Sequence, residues 1–114
     1  MAEIYQSQEF SVEYENLKRR KAEGQGEAEY LLKIIERGIE KLKQSHEAGQ
    51  KITKQLWPKY YVQKYGVNNL WRLQLDDFWR MIYTLTKEEV KLVAVILEVM
   101  DHKDYDKRFG YRTS

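Results

Sequence analysis

Asn69-Leu-Trp-Arg-Leu-Gln-Leu-Asp76, Phe78-Trp-Arg-Met-Ile-Tyr-Thr-Leu85 and Val90-Lys-Leu-Val-Ala-Val-Ile-Leu-Glu-Val-Met100 are three runs rich in β-branched, aromatic and leucine residues. Asp76-Asp77 and Thr86-Lys-Glu-Glu89 separate them, so the stretch predicts a three-stranded antiparallel meander. The third run is apolar at nearly every position, the pattern of a strand buried on both faces. The first two mix arginine, glutamine and threonine with bulky apolar residues. Alternate residues of a strand share a face. Arg72 and Gln74 therefore oppose Trp71, Leu73 and Leu75, while Arg80, Ile82 and Thr84 oppose Trp79, Met81, Tyr83 and Leu85. If the bulkier sets face helices, Arg72, Gln74 and Arg80 meet on the opposite, concave face.

Working outward, Ile4-Tyr5, with Ala2 and Gln6, is expected to be a short first strand. Ser7 or Ser11 can N-cap a helix in which Phe10, Tyr14, Leu17 and Lys21 share one side. That helix should end by Glu23-Gly-Gln-Gly26. A second helix is expected from about Glu27 to Ala48, carrying Ala28, Leu31, Leu32, Ile35, Ile39 and Leu42 at helical spacing, with Gly49 as its stop. Gly38 in its middle costs about 1 kcal/mol against alanine and reads as a point of close packing. Lys51 to Tyr65 reads as a short helix or a structured loop, with Pro58 at the first helical position and Gly66 as the stop. After the meander, Asp101 can N-cap a last helical turn in Asp101-His-Lys-Asp-Tyr-Asp-Lys-Arg-Phe-Gly-Tyr-Arg112, leaving His102, Lys103, Tyr105 and Arg108 projecting at the mouth of the sheet. The expected fold class is α+β: an N-terminal strand and a two-helix hairpin packed on an antiparallel β-meander, with a short C-terminal helical tail.

At 114 residues the chain has room for one domain, 1–114, and one core. Its longest apolar run, Leu92 to Leu97, is far short of the roughly 20 residues of a membrane helix, and a cytoplasmic location without a membrane partner is expected. The absence of cysteine excludes disulfides and thiolate metal sites, and two histidines, His46 and His102, make a poor zinc set. Metal-independent chemistry with no cofactor is the expectation. No glycine-rich phosphate loop follows a strand. A formal charge of +2 is too small to signal nucleic-acid binding, so the placement of the cations decides.

Guanidinium groups bind phosphate oxygens in bidentate fashion and stay charged at any working pH, so Arg72 and Arg80 on one face would make a phosphate clamp. The alternative is that they pair with Asp76, Asp77 or Glu98. Lys18-Arg-Arg-Lys21 is either a phosphate contact or the solvated side of a helix, since consecutive helical residues point in different directions. Tyrosines interleaved with Lys54, Lys59 and Lys64 fit either base stacking over phosphates or core packing.

Trp71-Arg72-Leu73, Phe78-Trp79-Arg80-Met81-Ile82-Tyr83, the long apolar strand and a tail with His102-Lys103 and Tyr105 together resemble the RelE/ParE superfamily of toxins. The order of elements matches along the whole chain, and the motifs match over about Asn69 to Tyr111. In the RelE branch the resemblance implies a type II toxin that is a ribosome-dependent mRNA endonuclease (an mRNA interferase). A 2′-hydroxyl attacks the adjacent phosphate without a metal. It implies Arg80 as the phosphate-stabilising arginine, Arg72 as the basic residue on the preceding strand, His102 or Lys103 at the C-terminal acid/base or basic position, and Tyr105 as stacking or proton-transfer partner. Lys103, Arg108, Gln74, Lys54 and Lys59 are then RNA-binding. A histidine is the side chain suited to acid/base work near neutrality. The implied partners are a cognate antitoxin, the ribosome and mRNA, with DNA reached only through the antitoxin. A ParE-like topoisomerase inhibitor that cuts no RNA, or a binding-only relative, is the alternative. Departures from the pattern are Gln74 where a second basic residue is usual, a longer turn at Asp76-Asp77-Phe78, an insertion at 51–66, and Asp101, Asp104 and Asp106 around the tail.

Overall fold

In the computed structural model, which describes residues 3–110, the elements run β1 (Glu3–Gln6), α1 (Gln8–Ala22), α2 (Gly26–Gln44), β2 (Gln50–Lys51), a 3-10 turn (Lys54–Leu56), α3 (Lys59–Tyr65), β3 (Trp71–Gln74), β4 (Trp79–Glu88), β5 (Lys91–Asp101) and α4 (His102–Phe109). The fold is α+β, and the expected strand, helical hairpin, meander and helical tail are all present. Ala2, expected in the first strand, and Tyr111 and Arg112, expected in the tail, lie outside the described residues.

The five strands form one sheet in the order β1-β5-β4-β3-β2. β3, β4 and β5 are the antiparallel meander, and β1 adds parallel to β5. β2 was not foreseen as a strand. It is two polar residues long, with Gln50 opposite Arg72 and Lys51 opposite Trp71, and so carries no apolar alternation. β3 is shorter than its apolar run because Asn69 pairs by its side chain instead: Nδ2 donates to Leu85 O at 2.7 Å and Oδ1 accepts from Leu85 N at 2.8 Å. β4 is longer, because Thr86, Lys87 and Glu88 pair with Val93, Leu92 and Lys91, which leaves Glu89-Val90 as the turn.

Two helical layers cover the two faces. Phe10 and Leu17 of α1, and Leu32, Ile35 and Leu42 of α2, pack on Trp71, Leu73, Met81, Tyr83, Ala94 and Ile96. On the other face, Tyr61 of α3 and Tyr105 and Phe109 of α4 pack on Ile82, Leu97 and Met100. The doubly buried third strand is therefore real, and its cause is α3 and α4. Ile82 stands opposite Glu98 but Tyr83 opposite Ile96, so Leu97 is a bulge. The extra residue turns both Leu97 and Glu98 toward α3 and α4.

Of four local expectations, those at Ser7 and Gly38 hold and those at Gly49 and Pro58 are corrected. Ser7, not Ser11, caps α1, its Oγ accepting from Phe10 N at 3.0 Å. α2 ends at Gln44, with extended Ser45 as its cap, so Gly49 stops no helix. Gly49 is required for another reason: a Cβ there would lie 2.5 Å from the Arg72 carbonyl oxygen and 2.8 Å from the Tyr83 hydroxyl. Pro58 is the residue before α3 and not its first. At Gly38 the packing reading holds, since a Cβ would meet Leu75 Cδ2 at 2.5 Å.

Candidate anion-binding site

The register places Gln74 directly opposite Arg80, and Arg72 opposite Ile82. Arg72 and Arg80 are thus diagonal neighbours on one face of adjacent strands, within reach of a shared ligand. The face is not an open floor, as the sequence suggested, because α4 lies over it. The cause is the Tyr105/Phe109 spacing, which gives an otherwise charged helix one aromatic side. Their rings stack at 4.3 Å, and both are buried.

Tyr105 therefore faces inward and does not project from the tail. Its hydroxyl accepts from Arg72 Nη1 at 3.0 Å. The Arg72 guanidinium lies 5.4 Å from the centre of the Tyr105 ring and that of Arg80 5.2 Å. One tyrosine thus gathers two cations, a contact worth about 0.5–2 kcal/mol each according to solvation. Arg72 also donates to Gln50 Oε1. Arg80 differs: its Nε and Nη1 are buried and meet no acceptor. Neither arginine forms an ion pair among the described residues, so pairing with Asp76, Asp77 or Glu98 does not explain them.

The carboxylates have other work. Asp76 Oδ1 accepts from the backbone N–H of Phe78 (2.8 Å) and Trp79 (2.6 Å), and Oδ2 from the Tyr30 hydroxyl at 2.5 Å. Burial opposes its ionisation, but the Tyr30 hydroxyl, these N–H groups and nearby Arg80 outweigh it and hold its carboxyl below the usual value. Glu98, 14% exposed, pairs with Arg108 at 3.3 Å and accepts from the Tyr61 hydroxyl at 2.9 Å. Burial and the Glu98 charge both raise the Tyr61 phenol.

Other candidates fall into distinct places. Arg108, beyond its pairing with Glu98, stacks 4.1 Å from the centre of the Tyr60 ring. His102 packs edge-on against Phe78 at 4.8 Å, its Nδ1 3.9 Å from Asp106. It makes no hydrogen bond or ion pair with Arg72 or Arg80 among the described residues. Lys103, Gln74, Lys54 and Lys59 are exposed. Of the interleaved tyrosines, Tyr61 is core, while Tyr60 also carries Lys64 at 5.4 Å. Lys18 and Arg19 pair with Glu15 and Glu23 along α1, the solvated-helix reading.

Gln50 was missed because a polar edge residue carries no periodic signal. Tyr83, at the end of the Phe78–Tyr83 motif, faces the other way. Its hydroxyl donates to His46 O at 2.7 Å and accepts from Gly49 N at 3.1 Å, and burial pushes its phenol up to about 12. Among the described residues no group of three or more His, Asp or Glu is placed to hold a metal, and no helix is long and apolar enough to cross a membrane. Set against known proteins, the chain matches no family model, no curated protein and no solved structure.

Proposed function

We propose that the chain is a RelE-like endoribonuclease, the toxin of a type II toxin-antitoxin pair that cuts mRNA on the ribosome. The supporting observation is the convergence of Arg72 and Arg80 on Tyr105, with two Arg80 nitrogens buried and without an acceptor. A guanidinium with unpaired donors can accept an anion, and its planar fork fits phosphate oxygens. In this reading a 2′-hydroxyl gives up its proton, O2′ bonds to phosphorus, the bond from phosphorus to the 5′-oxygen breaks, and that oxygen takes a proton. The products are a cyclic phosphate and a free 5′-hydroxyl. Arg80 and Arg72 stabilise the charge that develops on the phosphate oxygens, Tyr105 orients Arg72, and His102 is the candidate proton carrier. A cognate antitoxin is the proposed inhibitor. The test is growth on expression: the wild-type chain arrests growth when unpartnered, and Arg80→Ala at equal soluble abundance does not. Equal toxicity of the two overturns the reading.

A binding-only relative, including a ParE-like topoisomerase inhibitor, draws on one observation. His102 meets Phe78 and Asp106, and among the described residues it makes no hydrogen bond or ion pair with Arg72 or Arg80. Growth arrest with intact mRNA would favour it.

A further inference from the structure

β1 covers β5 only from Val93 to Ile96. The backbone N–H of Ser7 then donates to Ile96 O at 2.8 Å and its hydroxyl to Leu97 O at 2.7 Å, after which the chain turns into α1. β5 continues to Asp101 with β4 on one side and, among the described residues, no strand on the other. A groove of about 1220 Å³ follows this uncovered edge. Gln8, Glu9, Val12 and Glu13 of α1 form one wall, and α4 forms the other.

An uncovered strand edge offers backbone N–H and C=O groups in a fixed alternation, and an extended polypeptide is the partner that matches it. The walls choose among such partners. Glu9, Glu13, Glu98 and Asp104 line the groove with Lys107 and Arg108; Lys64 pairs with Glu9 and Arg108 with Glu98, and Glu13 and Asp104, in no ion pair among the described residues, repel a phosphate backbone and attract cationic side chains. Val12, 64% exposed on the α1 wall, adds an apolar contact. We infer that the outer edge of β5 from Glu98 to Asp101 is a docking site for an extended, basic segment of a partner protein, which joins the sheet there as a further strand. This site adjoins the arginine face through α4 but lies at the outer edge of β5, whereas Arg72 and Arg80 stand on β3 and β4, and it does not depend on what that face does.

The test uses the full chain and a synthetic peptide, acetyl-Val-Lys-Val-Lys-Val-Lys-amide, with amide hydrogen exchange as readout. Saturable binding is expected at sub-millimolar peptide, with exchange at the β5 amides beyond Leu97 slowed about tenfold and the β2 edge unchanged. The same peptide N-methylated at alternate residues should not bind, because it lacks the strand-forming N–H groups. Glu13→Lys and Asp104→Lys, both exposed helix-surface changes, should each weaken binding several-fold. Equal binding of the N-methylated peptide, protection elsewhere than β5, or no saturable binding overturns the inference.

Discussion

The Arg72 guanidinium donates to the Tyr105 hydroxyl at 3.0 Å, tying β3 to the last helix. Through the same ring Tyr105 also meets Arg80, at 5.2 Å. A buried aromatic residue thus holds two cations on one face of the sheet, and the first prediction separates its two contributions. Tyr105→Phe keeps the ring and loses the hydrogen bond, so stability should fall by about 1 kcal/mol. Tyr105→Ala also removes the packing with Phe109 and should cost about 3–5 kcal/mol. Chemical denaturation checks both, and equal losses would contradict the separation.

Arg80 makes a prediction of the opposite sign. Its Nε and Nη1 are buried without an acceptor, so the ligand-free protein carries a desolvation cost at this position. Arg80→Met should therefore raise stability by about 1–2 kcal/mol in low-salt buffer without phosphate. Inorganic phosphate should raise the melting temperature of the wild type but not of the variant. A less stable variant that still responds to phosphate would remove Arg80 from the site.

The meander was legible because its runs are rich in β-branched, aromatic and leucine residues and are separated by polar turns, and so was the shared face of Arg72, Gln74 and Arg80, because the period of a strand is two. The bulge at Leu97 was not, since one extra residue in an apolar run leaves no mark in composition. That bulge aims Glu98 at Tyr61 and Arg108, so the fate of Arg108 was hidden as well. The inward turn of Tyr105 had a signal, the four-residue spacing to Phe109, but the surrounding charges drew the reading toward solvent. Packing of α3 and α4 over the arginine face depends on contacts distant in sequence, which neither periodicity nor capping encodes.

The two packed glycines should respond differently to alanine. At Gly49 the obstacle is the Arg72 backbone oxygen, which cannot step aside, so Gly49→Ala should cost about 1–3 kcal/mol. At Gly38 the nearest obstacle is the tip of Leu75, which can rotate, and the gain in helix propensity is about 1 kcal/mol. Gly38→Ala should therefore lie within about 1 kcal/mol of wild type. Thermal denaturation of the two variants compares them, and the reverse order would contradict the packing described.

Two linkages bound stability in pH. Tyr83 is raised from 10.0 to about 12 by burial, and Tyr61 is raised further by burial and Glu98. The unfolded chain loses these protons first, so their contribution is complete below pH 10; that of Tyr83 disappears as pH rises through about 12 and that of Tyr61 at higher pH. Asp76 has the opposite sign: its lowered value gives stability that is present above 3.8 and lost as pH falls through the folded value. Tyr30→Phe removes one of the causes, so the acid-side loss of stability should become shallower. Denaturation midpoints measured across pH test both, and an unchanged acid limb in Tyr30→Phe would contradict the assigned cause.

The most direct measurement is the mapping of cut ends in ribosome-bound mRNA exposed to the purified chain. The proposed function predicts cuts that require the ribosome, that leave a cyclic phosphate and a free 5′-hydroxyl, and that fall at least about a hundredfold in Arg80→Ala. Intact mRNA with the wild-type chain, or equal cutting by Arg80→Ala, would contradict it.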